Sequence, residues 1–285
     1  MRIRPGWILT LACVLLSSGP ARSRAQDVDK DKAAPKALKA QVEESIGWYQ
    51  VFVDASATEP MKPQAVLRWG NSTRGKQEAD GVFVLWTNKG RPEASVGIYP
   101  WYGYITHELV SLSRDAKLEA RQEGRVVWSP QVPGVAYKDL SGAPAPAATS
   151  AGRLRQMKVL ADRFQVRMTG LKDDLSDRED LRMLAKPLYR AEPGTAQSPD
   201  PDWIDSGVFG FVQGTDPEAI LLLEAVRQDG RPCWQYAFAR ATGGGLEARL
   251  DKIVVWSVDR LAGETAPLKP QTIISRPVGG TGSGQ

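Results

Sequence analysis

The chain has 285 residues, with 37 Lys or Arg, 33 Asp or Glu, one histidine and two cysteines. Four arginines and no acidic residue fall within the first 25 residues, so 33 basic residues face 33 acidic ones in the rest. A formally neutral chain lacks the basic footprint of a nucleic-acid-binding protein. The single cysteine beyond residue 25, Cys233, excludes an internal disulfide and a cysteine-based zinc site.

The N-terminal 25 residues have the layout of a secretory signal peptide. Arg2 and Arg4 precede an apolar run, and Ser23 and Ala25 are small residues at the −3 and −1 positions of a cleavage site. The apolar run is about half as long as a membrane span. We therefore expect cleavage after Ala25, a secreted or periplasmic location, and no membrane span in the mature chain.

The pattern of the first half predicts a helix followed by strands. Residues 26–35 are polar and are expected to form a disordered leader. Leu38, Val42 and Ile46 then recur at helical spacing. Up to residue 130, β-branched and aromatic runs alternate with turn residues, which predicts about six antiparallel strands.

The second half repeats this order. Residues 131–149 are rich in Pro, Ala and Ser, which is typical of a linker. Leu154, Met157 and Leu160 then lie on one face of a predicted helix, and strand patterns continue to residue 260. Gly, Pro, Ser and Thr dominate residues 261–285, which predicts a disordered tail.

Several strings occur in both halves. Gly81-Val82-Phe83 returns as Gly207-Val208-Phe209, Leu118-Glu119-Ala120-Arg121 as Leu246-Glu247-Ala248-Arg249, and Val126-Val127-Trp128-Ser129 as Val254-Val255-Trp256-Ser257. An ungapped alignment at an offset of 128 residues pairs His107 with Gln235. We therefore predict an α+β protein made by tandem duplication, with units at 36–130 and 150–260. Each unit would be a helix on a curved antiparallel sheet, analogous in shape to NTF2-like and cystatin-like folds, and the two would pack as a pseudo-dimer.

A further set of strings carries a family resemblance. In chain order they are Leu67-Arg68-Trp69-Gly70-Asn71, Gly90-Arg91-Pro92-Glu93-Ala94, His107-Glu108-Leu109-Val110-Ser111-Leu112-Ser113, Pro187-Leu188-Tyr189-Arg190, Gly214-Thr215-Asp216-Pro217-Glu218 and Trp234-Gln235-Tyr236-Ala237. Together they resemble an uncharacterised family of secreted proteins abundant in planctomycete bacteria. The resemblance implies export and a common fold, and it transfers no catalytic residue.

The only histidine is the first candidate for catalysis. Any histidine-dependent chemistry must use His107, with Glu108 or Asp80 as the carboxylate partner. Because side chains alternate along a strand, His107 and Glu108 are expected on opposite faces. For His107, the competing interpretation is a hydrogen-bonded structural histidine. For Glu108, one interpretation is an edge position paired with Arg68 or Arg91, and the other is a buried carboxyl with a raised pKa.

The second candidate is an aromatic cluster around a predicted hairpin tip, formed by Tyr99, Trp101, Tyr102 and Tyr104. Such rings can stack on a sugar or a protein partner, or they can pack onto the other half. No ligand spacing matches a metal or phosphate motif, so we expect neither metal nor cofactor. The expected function is non-enzymatic binding or structural work, with a glycan or protein of the cell envelope as partner. The alternative is a hydrolase or lyase with its pocket at His107.

Overall fold

The computed structural model describes residues 36–70, 80–169, 178–191, 201–261 and 267–279. In these ranges the chain is mostly antiparallel β-structure with two short helices and three sheets. The helical share is therefore smaller than the α+β expectation suggests. The predicted signal peptide and leader lie outside the described residues. No helix in the described ranges is long and apolar enough to cross a membrane.

The first half begins with helix α1, at residues 36–44, and a 3₁₀ turn at Ser45–Trp48. Its strands are β1 (Gln50–Phe52), β2 (Pro63–Gly70), β3 (Asp80–Asn88), β4 (Arg91–Trp101), β5 (Tyr104–Ser111), β6 (Glu119–Gln122) and β7 (Arg125–Trp128). Strands β1, β6 and β7 form a three-stranded sheet in the order β1-β6-β7. The other four join β17 (Gln271–Pro277) in a five-stranded sheet ordered β17-β5-β4-β3-β2.

The second half is one nine-stranded sheet, of which eight strands form a curled half-barrel. Its path is β16-β15-β9-β10-β12-β13-β14-β8, and β11 pairs with β12 beside that path. The strands are β8 (Lys138–Asp139), β9 (Phe164–Thr169), β10 (Glu179–Met183), β11 (Tyr189–Arg190), β12 (Trp203–Gln213), β13 (Asp216–Gln228), β14 (Arg231–Arg240), β15 (Gly245–Leu250) and β16 (Ile253–Val258). Helix α2 (Ser150–Ala161) begins after Thr149, whose hydroxyl accepts a hydrogen bond from the Gly152 N–H.

Alternation along the strands divides the buried side chains among three cores. Val84 and Trp86 face a first core that includes Val42 of α1, whereas Phe83 and Leu85 face the other half. A second core lies under α2. The interface core between the halves consists of Trp69, Phe83, Leu85, Val110, Leu112, Val135, Val208, Ile220, Leu222, Ala237, Ala239 and Ala241. Both central sheets are therefore covered on both faces, which explains the unbroken apolar runs from Val82 to Trp86 in β3 and from Ala219 to Leu223 in β13.

The predicted linker and the predicted disordered tail both contribute strands. Within 131–149, β8 pairs with β14 of the second half. Within 261–285, β17 pairs with β5 of the first half along seven residues, from Gln271 opposite Val110 to Pro277 opposite Tyr104. The Trp128 indole N–H also donates to the Lys269 carbonyl at 2.8 Å. The expectation of a disordered tail was wrong for these residues, because β5 would otherwise have an unpaired edge.

The ungapped alignment of the two halves pairs residues whose side chains lie on different strand faces. His107 lies opposite Ile98 in β4, and Tyr236 lies opposite Leu223 in β13. His107 faces the first core and Tyr236 the second, whereas Gln235 is on the opposite face of its strand. A one-residue slip reverses the face of every side chain in a strand. The ungapped alignment therefore pairs the core-facing His107 with Gln235, which lies on the opposite face of its strand from the core-facing Tyr236.

Candidate functional site

The tip of the β4–β5 hairpin carries three exposed aromatic side chains. Trp101 is 40%, Tyr102 65% and Tyr104 46% exposed, and every other Trp, Tyr and Phe in the described ranges is at least partly buried. Trp101 and Tyr104 are directly paired across the strands, so their rings leave the same face of the sheet. The Tyr102 ring stands at 85° to the Trp101 ring, with 4.6 Å between centroids. The sequence thus correctly places these three residues together.

The backbone of this tip is unusual for a tyrosine. Tyr102 and Gly103 have φ angles of 44° and 82°, as a two-residue hairpin turn of the mirror-image type requires. A bulky residue in the left-handed region is a steric outlier. In the described ranges, three other tips place a left-handed residue before a glycine, and there the residue is charged: Lys89, Glu123 and Asp229. The turn itself therefore does not account for an aromatic ring at position 102.

Tyr99 has a different environment from the other three aromatics. Its side chain lies at the interface between the halves, against the interface core, and hydrogen-bonds Glu108. Burial and the neighbouring carboxyls, first among them Glu108, raise the pKa of Tyr99 well above its usual value. The structure therefore separates Tyr99 from the exposed tip.

His107 is fully buried against the first core. Its ring stacks on Trp48 at 5.1 Å between centroids and meets the edge of Tyr49 at 5.3 Å. Neither ring nitrogen has a hydrogen-bond partner among the described residues, so the expectation of a hydrogen-bonded histidine was wrong. Burial, and secondarily the charge of Arg276, lower the pKa of His107 to about 3. A histidine in this state is neutral at pH 7, and no described group accepts a hydrogen bond from it.

Glu108 is buried on the opposite face of β5, as alternation predicts. It lies in the interface between the halves, where Tyr99 hydrogen-bonds it and the Gly243 N–H donates to it. Burial first, and the negative charge of Glu218 second, raise its pKa to about 8, and Arg240 only partly opposes this. Neither expected arginine, Arg68 or Arg91, is its partner, because Arg68 pairs with Glu43 and Arg91 with Glu224.

The three candidate catalytic residues do not converge. His107 and Glu108 leave opposite faces of one strand. Asp80 lies at the start of β3, which is separated from β5 by β4, or by about 10 Å of sheet. Its carboxylate is 3.7 Å from the Lys39 ammonium and is half exposed. In the described ranges, no group of three His, Cys, Asp or Glu side chains is arranged to hold a metal ion.

A buried ionic cluster at Glu224 was not predicted. Its carboxylate, with 1% of its side chain exposed, accepts two hydrogen bonds from Arg91, at 2.8 and 3.2 Å. The Tyr137 hydroxyl donates to it at 2.8 Å, and Arg114 forms a further close ion pair. Three side chains from residues before 140 thus hold one carboxylate of the second half. A charge within the apolar run Leu221-Leu222-Leu223-Glu224-Ala225-Val226 is the sequence signal that could have indicated it.

Comparisons with known proteins give no relative: no family model, no curated protein and no solved structure matches this chain.

Proposed function

We propose that the protein is an exported, non-enzymatic binding protein whose contact surface is the tip formed by Trp101, Tyr102 and Tyr104. The observation that carries the proposal is that all three exposed aromatic rings of the described ranges lie on this one turn. Burial does not account for them, and neither does the turn, since charged residues occupy the equivalent position at three other tips. A strained residue at an exposed tip points to a function outside the fold.

A glycan is the partner that suits this tip best. The Trp101 and Tyr104 side chains lie on one side of a hairpin, and the electron-rich face of an aromatic ring attracts the polarised C–H groups of a sugar. The tip is also held in place, because the Val278 N–H of the tail donates to the Gly103 carbonyl at 2.9 Å. A preorganised platform loses little conformational freedom on binding.

The test is co-sedimentation of the mature protein with three insoluble polysaccharides: peptidoglycan sacculi, cellulose and chitin. Tyr102→Asn removes the ring and places a residue that tolerates the left-handed conformation, so the fold should keep its stability. Trp101→Ala removes the largest ring. Each variant should weaken binding about tenfold, the effect of losing roughly one stacking contact.

The β13–β14 tip offers the matched control. Asp229 and Gly230 there adopt φ angles of 52° and 75°, close to those of Tyr102 and Gly103. Asp229→Asn should leave binding unchanged. Equal binding by wild type, Tyr102→Asn and Trp101→Ala would refute the proposed surface, and failure of the wild type to bind any of the three polymers would refute the glycan as partner.

The proposal includes the duplicated architecture and export. Strands β1, β6 and β7 pair in the order β1-β6-β7, and their counterparts in the order β9-β15-β16. Likewise β3-β4-β5 corresponds to β12-β13-β14, and β17 and β8 are added at equivalent outer edges. This supports two homologous units, packed as a pseudo-dimer through the interface core, each comparable in shape to NTF2-like or cystatin-like folds. Export, and membership of the planctomycete-type secreted family, rest on the sequence alone.

A further inference from the structure

A cavity of about 250 Å³ lies between the tail, the loop at Gly134 and the ends of β14 and β16. Its walls are mainly apolar and include Val110, Phe238, Trp256, Val258 and Pro270. A dry cavity of about 150 Å³ with such walls is large enough for a benzene ring. This space therefore has room for an aromatic ring or a short acyl chain together with one polar group.

Two polar side chains in the wall have hydrogen-bonding groups without a partner. Gln271 is only 5% exposed, and neither its Nε2 nor its Oε1 is hydrogen-bonded in the described structure. Arg240 donates through Nη2 to the Gly244 and Asp259 carbonyls, at 2.6 Å each, while its buried Nε–H has no acceptor. Buried polar groups in proteins are nearly always satisfied, so unpaired donors at a cavity wall point to a ligand.

The charges of the wall indicate the sign of that ligand. Arg240 and Lys269 both line the cavity, and its described lining includes no Asp or Glu. The carboxyls that act electrostatically on Arg240 are Glu108 and Asp259. Glu108 does not neutralise Arg240 near pH 7, because burial keeps it protonated, with a pKa of about 8. Asp259 is then the one carboxylate set against the two cations, Arg240 and Lys269, so the described wall keeps a net positive charge. Positive charge in a partly dry site favours an anionic group.

We infer that this cavity binds a small apolar molecule carrying one carboxylate, such as an aromatic acid or a short-chain fatty acid. The carboxylate would accept from the Arg240 Nε–H and the Gln271 amide N–H, as planar acids commonly do. The apolar body would contact Phe238 and Trp256. This site is independent of the aromatic tip, because Gln271 and Pro277 are opposite ends of β17, about 20 Å apart.

The experiment is a thermal-shift titration of the mature protein with benzoate, phenylacetate and hexanoate, and with the matched neutral and cationic compounds benzamide and benzylamine. The acids should raise Tm by about 5 °C or more at a hundred times their Kd. Benzylamine should give no shift. A shift by benzylamine equal to that by the acids, or no shift by any acid, would overturn the inference.

Gln271→Leu is the decisive variant. It removes the unpaired amide, so the Tm of the free protein should stay equal or rise, while affinity for the acids should fall at least about tenfold. Gln64→Leu is the matched control, since Gln64 is exposed on β2, the other edge strand of the same sheet. Full retention of acid binding by Gln271→Leu would contradict the assigned site.

A last variant addresses Glu264, an acidic residue of the chain that lies between two lining residues in sequence, Leu261 and Lys269. Glu264 lies between Leu261 and Pro267 and is outside the described residues. Under the inference, Glu264→Gln leaves the Tm of the free protein and the acid-induced shift unchanged. Glu264→Gln could instead lower Tm and confer an acid-induced shift that the wild type lacks. The Glu264 carboxylate would then be the group that binds Arg240 and Gln271, and the ligand site would be disproved.

Discussion

The substitution Glu108→Gln should make the protein more resistant to unfolding at alkaline pH. Glu108 is fully enclosed between the halves, where Glu218 repels its charged form while Tyr99, Arg240 and the Gly243 N–H favour it. Burial is the largest influence, and the pKa rises from 4.5 to about 8. The folded state therefore keeps a proton that the unfolded state releases.

The sign and size follow from proton linkage. Between pH 4.5 and 8 the unfolded state binds one proton fewer at this site, so the stability contribution present below pH 4.5 is lost as pH rises. The slope is about 1.4 kcal/mol per pH unit, or about 4 kcal/mol between pH 5 and pH 8. A glutamine side chain resembles the neutral carboxyl in shape and cannot ionise. It should therefore match the wild type near pH 5 and exceed it by about 4 kcal/mol at pH 8.

Urea unfolding at pH 5 and pH 8 measures this difference through the midpoint, provided that the m-value is unchanged. The exposed Glu59→Gln is the control, and it should change the midpoint little at either pH value because its side chain is not enclosed between the halves. If Glu108→Gln shifts the midpoint equally at both pH values, Glu108 is not held neutral by burial, and the account of the interface fails.

Two further substitutions test the other buried groups. His107→Phe keeps the ring against Trp48 and removes a side chain whose pKa falls from 6.5 to about 3. Because the folded pKa is depressed, the wild type loses stability as pH falls below 6.5. From pH 7 to pH 4, the free energy of urea unfolding should therefore fall by about 3 kcal/mol less in the variant than in the wild type. An equal fall in both proteins would contradict this. Glu224→Ala leaves Arg91 buried without its carboxylate and should cost about 3–5 kcal/mol in urea unfolding, whereas a loss below about 1 kcal/mol would show the cluster to be dispensable.

Local pattern was enough for helix α1 and for the aromatic tip. The helical spacing of Leu38, Val42 and Ile46 correctly predicted a face that packs on the first core. The tip could be found because a hairpin turn depends on neighbouring residues, here Tyr102-Gly103. The opposite orientations of His107 and Glu108 followed from the pleat of one strand.

Partners far apart in sequence could not be found in this way. Whether β5 has a free edge depends on a tail more than 150 residues away, since Gln271 pairs with Val110. The tail is rich in Gly and Pro, so its composition indicates disorder, and the long-range pairing overrides that local preference. The ungapped alignment of the repeat strings also paired His107 with a residue on a different strand face, because identical letters align without regard to which face a side chain occupies.

The sequence by itself determined the alternation of strands and turns, the apolar runs that mark sheets covered on both faces, and the lone histidine and aromatic tip as candidates. Only the tertiary structure decided which core each side chain faces, that Glu108 and Glu224 are enclosed between the halves, and that Gln271 and Arg240 meet at one cavity. The physical reason is that strand pattern is a property of neighbours, whereas burial, pKa and unpaired hydrogen-bonding groups depend on what the rest of the chain brings against them.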